Sequence, residues 1–508
     1  MYWRSIMKKN KVLFIILLLI TILSLTSCKQ GKPLNADALI ARNINEINES
    51  KINEYRINVD LDTESMTYEG KQTVSYVNNT GIDLEDIYFH LYPNAFKSLA
   101  DAPILFNMEE KMSSLSYESG DMDIEKVIQN GKELEWSIGG DKDTILHIKL
   151  DKSLEKGKST ELYLEYKVKL PTTKDRFGYH DKGINFGNWY PILCVYDESG
   201  WNLDPYYKVG DPFYSEVSNY KVSITTPKDI IVASSGNIVS ENRKGDKKIY
   251  EIEGPLIRDF AWAASKDFII KEKKVEDTII KVYSITNDSN LINESLKIGE
   301  NSIKTFNKIF GKYPYGVYTI VNTEFPSGME YPGIVFISND YFHKHLISIL
   351  EKVIVHETAH QWWYGIVGNN QVKEPWLDEG LTTYSEVIYI NEVHGKKKAK
   401  EYYDQDIKLG YEYAVQYLGE NEVVNKPLSE FIGWDDYGLL VYTRAAMFVD
   451  RIKEDFGEET LYKILNKYYE EYKFKNARTE DFIKICEEVT NTSFNGLVKE
   501  YLNGNKNR

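Results

Sequence analysis

The feature that most constrains this chain is the stretch at residues 353–386, which reads VIVHETAHQWWYGIVGNNQVKEPWLDEGLTTYSE. His356 and His360 are four residues apart, so on a helix their side chains project from one face, about 40° apart. Glu357 leans beside them on the same helix. An apolar lead-in of Val, Ile and Val before His356 favours a helix here. The spacing of the two histidines therefore predicts a metal clamp, that is, two metal ligands on one face of a helix.

A third ligand follows at a distance that lets the chain return to the clamp. Eighteen residues separate His360 from Glu379, which is room for the first helix to end near Gly365 and for a second to begin after Pro375. Two neutral imidazoles and one carboxylate, with a fourth position left to water, are the ligand set of a catalytic zinc site. The sequence therefore predicts one Zn²⁺ per chain, held by His356, His360 and Glu379.

This stretch resembles the gluzincin aminopeptidases, the family of aminopeptidase N and leukotriene hydrolase. Their pattern is HExxH, eighteen residues, then a Glu within W-L-N-E-G; here residues 376–380 read WLDEG, with Asp378 in place of Asn. The resemblance implies peptidase chemistry, with Glu357 as the general base. Glu386 lies seven residues past Glu379, back on the same helical face. Two interpretations of Glu386 stay open, a partner that orients a ligand histidine and a solvated surface carboxylate.

A second motif precedes the histidines at residues 327–333, which read SGMEYPG. It resembles the family's G-x-M-E-N exopeptidase motif, with Tyr331 where Asn is usual. The resemblance implies that the backbone of Gly328 and Met329 pairs with the substrate as an added strand. It also implies that Glu330 binds the free α-ammonium group of a peptide. An ordinary surface turn with an incidental Glu is the alternative.

A third motif lies 82 residues beyond His360, where Tyr442-Thr443-Arg444-Ala445 resembles the family's Y-x-K-G phrase. The tyrosine of that phrase stabilises the tetrahedral intermediate, so Tyr442 is assigned this role, with Tyr437 as the runner-up.

The phrase at residues 186–191, FGNWYP, resembles a W-[FY]-P phrase that in relatives follows a loop bearing an acid or Gln for the substrate amine. Here residues 183–185 read Gly-Ile-Asn. Either Asn185 substitutes for the acid or the contact is missing. In both cases amine recognition is expected to depend on Glu330 almost alone.

The first residues resemble a bacterial lipoprotein signal. Residues 1–28 combine early lysines, an apolar run at residues 12–25 and the ending Leu-Thr-Ser-Cys. The run is shorter than the roughly 20 residues needed to span a bilayer as a helix. We expect Cys28 to be lipidated, residues 29–50 to form a tether, and the protein to be held on the extracytoplasmic face of the cell membrane. An uncleaved N-terminal anchor is the alternative.

The rest of the chain predicts two domains. From residue 55 apolar and polar residues alternate, which indicates half-buried strands up to about residue 264. The fold class is therefore multidomain α and β. An N-terminal antiparallel β-sandwich-like domain at residues 51–264 precedes a thermolysin-like α/β-to-helical zinc peptidase domain at residues 265–508. We expect no large C-terminal helical domain of the kind the family carries.

Composition excludes other classes. A net charge of −15, without a basic patch that interleaves aromatic residues, makes nucleic acid an unsuitable partner. Only Cys194 and Cys486 remain after Cys28, so a disulfide framework is excluded. Three histidines have no acidic or histidine partner at ligand spacing and are interpreted as structural: His90, His147 and His180. Three others lie outside the ligand pattern and are interpreted as surface residues: His343, His345 and His394.

Together these motifs predict a membrane-anchored zinc aminopeptidase that acts on peptides. The first alternative is an endopeptidase or oligopeptidase at the same site, because a second amine-binding acid is missing and because we expect no C-terminal domain that would narrow access to the site. The second is a peptide-capturing lipoprotein without catalysis. The presence of both Glu357 and Tyr442 argues against that alternative, since binding alone requires neither.

Overall fold

The computed structural model describes Leu39 and residues 48–105, 117–418 and 423–504. The predicted signal at residues 1–28, with Cys28, lies outside these residues, as does most of the predicted tether. No helix in the described ranges combines the length and the hydropathy needed to cross a bilayer.

The first half of the described chain is built of strands. They are β1 Asn53–Asp62, β2 Thr67–Val77, β3 Leu84–His90, β4 Asp121–Gln129, β5 Lys132–Glu133, β6 Trp136–Gly139, β7 Ile145–Leu154, β8 Ser159–Lys169, β9 Phe177–Tyr179, β10 Ile184–Phe186, β11 Ile192–Leu193, β12 Tyr196–Asp197, β13 Gly200–Trp201, β14 Ser218–Pro227, β15 Ile231–Ser234, β16 Asn237–Lys244, β17 Lys247–Ile257 and β18 Trp262–Ser265.

The largest sheet has eight strands in the order β16-β17-β14-β1-β2-β8-β4-β5. Buried and solvent-facing residues alternate along β1, as the period of two predicts. All neighbours in this sheet are antiparallel except β1 and β14, which pair in parallel. Only strands joined by a tight hairpin must be antiparallel, and β14 reaches β1 after a long excursion through the other sheets. The predicted antiparallel arrangement therefore holds for this sheet with one parallel pair as an exception.

Two four-stranded sheets, β15-β18-β10-β9 and β11-β3-β7-β6, and the short β12-β13 ribbon complete this region. An aromatic core fills it, in which the rings of Phe186 and Trp262 stack with centroids 3.5 Å apart. Trp189, from the phrase FGNWYP, is fully buried there and donates from Nε1 to the carbonyl oxygen of Phe260 at 3.0 Å. That phrase therefore packs the core of the β region.

A separate five-stranded sheet follows, in the order β19-β20-β21-β23-β22. Its strands are β19 Ile269–Val275, β20 Thr278–Ser284, β21 Val317–Thr323, β22 Gly328–Met329 and β23 Ile334–Ser338. Since β18 ends at Ser265, the sheets change close to the predicted boundary between residues 264 and 265. The boundary itself stays a prediction, because residues 36–508 form one compact unit.

Helices dominate the remainder. They are α1 Ser289–Ile309, α2 Ile347–Ala359, α3 Trp376–His394, α4 Lys396–Tyr402, α5 Leu409–Leu418, α6 Trp434–Tyr437, α7 Ala445–Phe456, α8 Glu458–Tyr472, α9 Thr479–Thr490 and α10 Asn495–Leu497. π-helical turns occur at Tyr403–Lys408, Gly438–Arg444 and Val498–Leu502. The β-rich region followed by a mixed sheet and helices confirms the predicted fold class.

Of the two helices that carry the predicted metal ligands, one begins where the sequence predicts and the other ends earlier than predicted. Helix α3 begins at Trp376, directly after Pro375, as predicted. Helix α2 ends at Ala359, earlier than the predicted end near Gly365. The reason is a tight turn in which the amide of Gly365 donates to the carbonyl oxygen of His360 at 2.9 Å. His360 is therefore the C-cap of its helix.

Candidate metal centre and substrate cleft

Three predicted ligand atoms converge where α2 meets α3. Nε2 of His356 lies 3.2 Å from Nε2 of His360, and Oε2 of Glu379 lies 3.2 and 3.1 Å from these two nitrogens. Bonds of 2.0–2.1 Å in a tetrahedral zinc site separate neighbouring donor atoms by about 3.3 Å. The spacing of the three atoms therefore fits zinc.

The other ring nitrogen of each histidine is held by the protein. Nδ1 of His356 lies 2.6 Å from Oε1 of Glu386, and Nδ1 of His360 lies 3.0 Å from the carbonyl oxygen of Trp363. These acceptors place the Nδ1 hydrogen and leave Nε2 for a metal. Glu386 is buried and also accepts from the Tyr402 hydroxyl, so its surface interpretation is wrong.

The charges around the three ligand atoms favour a cation. Burial alone would raise the pKa of Glu379, but His360 and His356 hold it well below its usual range. Burial alone would lower the pKa of His356, but Glu379 and Glu386 raise it to about 10. The donor set therefore fits a divalent metal in both geometry and charge.

The carboxylate of Glu357 lies beside this centre in a cleft of about 500 Å³. Burial raises the pKa of Glu357 to about 7, against the lowering effect of His356 and His360. A group with this pKa can exchange a proton near neutral pH. Gly328 packs against it, because a Cβ at that position would overlap Oε1 of Glu357. The predicted base therefore faces the substrate motif directly.

The two candidate tyrosines differ in position. Tyr442 lines the cleft and donates from its hydroxyl to Oε1 of Glu379 at 2.7 Å. Tyr437 is buried between Phe431 and Trp434 and is not part of the cleft lining. Tyr442 belongs to the π-helical turn Gly438–Arg444, a feature frequent at functional sites. The structure thus places Tyr442, and not the runner-up, at the metal centre.

The predicted amine-binding residue also lies in the cleft. An oxygen of Glu330, one of Glu357 and a nitrogen of His360 all lie within 4.8 Å of one another. Gln371 donates from Nε2 to Oε1 of Glu330 at 3.2 Å and to Oδ2 of Asp378 at 2.6 Å. Burial, followed by the charge of Asp211, raises the pKa of Glu330 well above its usual range. This carboxylate is therefore a strong site for a positive charge.

Sequence reasoning missed Asp211, a second carboxylate in the cleft that comes from the β region. Arg176 donates from its guanidinium to Oδ1 of Asp211 at 2.5 Å, and both residues line the cleft with Glu330. Burial raises the pKa of Asp211 above its usual value, against the lowering effect of the Arg176 charge. Asn185 lies elsewhere, where its amide donates to the carbonyl oxygen of Asp175 at 2.9 Å. The cleft therefore holds a second carboxylate besides Glu330, and it lies outside residues 183–185.

The substrate motif forms a sheet edge. Gly328 and Met329 constitute β22, which pairs with β23 on one side and is the last strand of its sheet. The Met329 side chain turns to Arg176, whose Nε lies 3.1 Å from its sulfur. Tyr331, which replaces the family's Asn, is buried and donates to Oδ1 of Asn188 at 2.9 Å. The open edge of β22 can pair with an extended peptide.

Of the histidines interpreted as structural, two have acidic partners that sequence spacing did not reveal. Nε2 of His147 lies 2.6 Å from Asp86, and Nδ1 of His180 lies 3.4 Å from Glu324. Neither lines the cleft. The two thiols behave as predicted, since Cys194 and Cys486 are buried and unbonded to each other.

Comparison with known proteins places this geometry in a family. Residues 294–501 match the model described as the peptidase family M1 domain. This part of the chain is therefore similar to M1 peptidase domains, and it is called the M1 domain below. This stretch includes the three metal ligands, Glu357, Glu330 and Tyr442, and the match confirms the predicted resemblance to the gluzincin aminopeptidases.

The relatives that match this chain are distant in sequence. "Aminopeptidase 2" of Candida albicans is 23% identical over 425 residues, which is 78% of this chain and 44% of that protein. "Aminopeptidase B" of Rattus norvegicus is 28% identical over 196 residues, which is 36% of this chain and 29% of that protein. This chain therefore spans less than half the length of these relatives.

Solved structures share the fold. The M1 zinc metallopeptidase from Deinococcus radiodurans superposes with a TM-score of 0.63 at 13% identity, over 86% of this chain and 90% of that one. The β-rich region and the M1 domain together therefore form a known arrangement. At this identity the likeness shows the fold alone.

Proposed function

We propose that this protein is a zinc aminopeptidase that removes residues from the free N-termini of peptides. One observation carries the proposal: the carboxylate of Glu330 lies within 4.8 Å of both the base Glu357 and the ligand His360. A peptide whose α-ammonium contacts Glu330 has only its first carbonyl group within reach of the metal centre. The names and folds of the M1 relatives support the same class of reaction.

His356, His360 and Glu379 would hold the zinc ion. When bound, zinc polarises a substrate carbonyl and lowers the pKa of a water molecule towards neutrality. Glu357 accepts the proton of the attacking water and later delivers it to the leaving amine. Tyr442 turns its hydroxyl from Glu379 to the developing oxyanion, where a hydrogen-bond donor is most effective.

Two carboxylates from different parts of the chain divide amine recognition in this proposal. Glu330 comes from the loop after β22, and Asp211 comes from the segment between β13 and β14. Arg176 neutralises part of the charge of Asp211, and Gln371 holds Glu330 towards the cleft. The β22 edge then pairs with the backbone of the bound peptide.

The endopeptidase alternative rested on two grounds, a missing second acid and the expected absence of a C-terminal domain that would narrow access. In this proposal Asp211 removes the first of them. The non-catalytic alternative is disfavoured by the position of Tyr442, whose hydroxyl lies 2.7 Å from a metal-binding carboxylate. A protein that only captures peptides has no use for an oxyanion donor beside a base.

A cleavage assay on matched peptides tests the proposal. One peptide has a free N-terminus, its partner is N-acetylated, and each is incubated with and without a metal chelator. An aminopeptidase releases single residues from the free peptide only, and chelation abolishes this release. Internal cleavage of both peptides indicates an endopeptidase. Metal-dependent binding without cleavage indicates the capturing protein.

We also propose that the chain is attached to the cell membrane through a lipid on Cys28. The lipoprotein-like pattern of residues 1–28 supports this proposal. In cells fed a labelled fatty acid, we expect the wild-type protein to carry label and to sediment with membranes. Cys28→Ser should carry none. An unlabelled wild-type protein would contradict the proposal.

A further inference from the structure

The turn after the metal-binding helix α2 has a backbone conformation that tyrosine rarely adopts. Tyr364 has a φ of 120°, in the region that favours glycine. Its side chain is 1% exposed. A bulky residue stays in such a conformation only when the surrounding structure fixes it from several sides. Contacts from several sides are therefore expected to hold Tyr364 in place.

Two residues that directly follow β17 hold Tyr364 at both ends. Arg258 donates from Nε to the carbonyl oxygen of Tyr364 at 2.9 Å. Asp259 accepts the hydroxyl of Tyr364, and it also accepts from the hydroxyl of Ser215 at 2.9 Å. The other guanidinium nitrogens of Arg258 donate to further oxygens, those of Ser215, Lys475 and Asn476.

Arg258 is itself fixed, so its hold on the turn is rigid. It is 1% exposed, and the glycine at position 368 leaves space for it, because a Cβ there would overlap the guanidinium. Each of the three guanidinium nitrogens of Arg258 donates to an oxygen, and a buried, planar guanidinium held in this way has a single orientation. The β region therefore presents a fixed anchor to the turn.

The turn carries one of two groups that contact Nδ1 of the metal ligand His360; the other is the hydroxyl of Thr382, 3.1 Å away. The carbonyl oxygen of Trp363 accepts from Nδ1 of His360 at 3.0 Å. This carbonyl belongs to the peptide group that joins Trp363 to Tyr364, and the amide of the same group donates to the carbonyl oxygen of Val367 at 2.8 Å. The φ rotation of Tyr364 therefore sets the direction of the oxygen that His360 contacts.

We propose that Arg258 and Asp259 are positioning residues for the metal centre. Through Tyr364 they fix the Trp363 carbonyl group, and through that group the ring of His360. The β region thus makes two contributions to the site: it supplies the carboxylate of Asp211 to the cleft, and it strengthens metal binding through Arg258 and Asp259. The inference rests on the proposed metal site, but it does not depend on peptidase activity.

A matched pair of variants separates this role from ordinary packing. Tyr364→Phe removes only the hydroxyl that Asp259 accepts. Tyr315→Phe removes a similar hydroxyl, which donates to the carbonyl oxygen of Leu256 in β17 at 2.7 Å. Both tyrosines are buried and both connect the β region to the M1 domain. Among the described residues the Tyr315 hydroxyl bonds to Leu256 and to no atom of α2 or of the turn that follows it, so Tyr315 serves as the structural control.

The measurements are the Zn²⁺ dissociation constant, by competition with a chromophoric chelator, and the visible absorption of the Co²⁺-substituted protein. Loss of an outer contact to a ligand histidine commonly weakens metal binding about ten- to a hundredfold. Tyr364→Phe keeps that contact but loosens the turn that carries it, so we expect it to weaken Zn²⁺ binding by up to about tenfold. Its Co²⁺ spectrum should change as well. Tyr315→Phe should retain the wild-type affinity and spectrum even where its melting temperature falls.

A second variant, Arg258→Lys, retains the positive charge but cannot donate hydrogen bonds to the same set of oxygens. It should weaken Zn²⁺ binding in the same direction as Tyr364→Phe. The inference is overturned if Tyr364→Phe binds Zn²⁺ as tightly as the wild type, or if Tyr315→Phe weakens binding equally. A wild-type chain that binds no Zn²⁺ would instead remove the metal site on which the inference depends.

Discussion

The hydroxyl of Tyr442 donates to Oε1 of Glu379 at 2.7 Å, while Oε2 of the same carboxylate faces both ligand histidines. One carboxylate therefore joins the oxyanion donor to the metal centre. The ring of Tyr442 also lies against that of His356, with centroids 5.8 Å apart.

Tyr442→Phe should lower kcat with little change in KM, because the lost hydrogen bond forms mainly in the transition state. The expected loss is roughly 10²- to 10³-fold, the scale for one oxyanion donor. Steady-state kinetics on a free-amine peptide measures it. Tyr437→Phe is the control, since Tyr437 is buried outside the cleft lining. A large loss in Tyr437→Phe alone would assign the oxyanion role to the wrong tyrosine.

Glu357→Gln should retain zinc and lose nearly all turnover, because the three ligands remain while the proton acceptor is gone. Metal content by atomic absorption and a peptide assay measure the two effects separately. Glu351→Gln, on the same helix but outside the cleft lining, should keep both metal and activity. Loss of zinc in Glu357→Gln would show that Glu357 binds the metal.

Gly328→Ala should impair catalysis by displacing the base. A Cβ at Gly328 would overlap Oε1 of Glu357, so either β22 or the carboxylate must move. A displacement of about 1 Å in a catalytic group can cost a hundredfold in rate, and we expect a fall in kcat of that order. Gly433→Ala is the control, because a Cβ there meets no atom within 4 Å. Equal activity of both variants would contradict the close packing of Gly328 on Glu357.

The local parts of the site could be predicted from the sequence because their geometry is set by helical repeat and chain length. His356 and His360 share a face through their spacing alone. Pro375 marks the beginning of α3, which returns Glu379. The cap of α1 is equally local, since Asp288 accepts from the amides of Asn290 and Leu291, two and three residues further along the chain.

The remainder depends on contacts between distant segments, which no spacing rule encodes. Arg176, Asp211 and Glu330 meet in the cleft from three separate segments. The motif comparison examined residues 183–185 for the second acid, but that stretch packs beside β18. The φ of Tyr364 is likewise fixed by Arg258 and by no property of tyrosine.

The effect of removing the Glu330 charge distinguishes an exopeptidase from an endopeptidase. A carboxylate that faces an α-ammonium group in a desolvated cleft contributes roughly 2–5 kcal/mol of binding when its loss is measured. At about 1.4 kcal/mol per tenfold, Glu330→Gln should lower kcat/KM on free-amine peptides at least tenfold. The amide side chain keeps the shape and the hydrogen bond from Gln371, so the change is mainly one of charge.

The sequence alone led us to expect that amine recognition depends on Glu330 almost completely, and the position of Asp211 changes that expectation. Because a second carboxylate remains, Glu330→Gln should keep some preference for free over N-acetylated peptides, and the double variant with Asp211→Asn should lose it. Both peptides are compared at low substrate concentration, where the rate reports kcat/KM. N-acetylated peptides never offer the charge, so their slow turnover should be the same in Glu330→Gln and in the wild type. If the wild type cleaves both peptides equally fast and Glu330→Gln changes neither rate, the aminopeptidase proposal is wrong and the endopeptidase alternative stands.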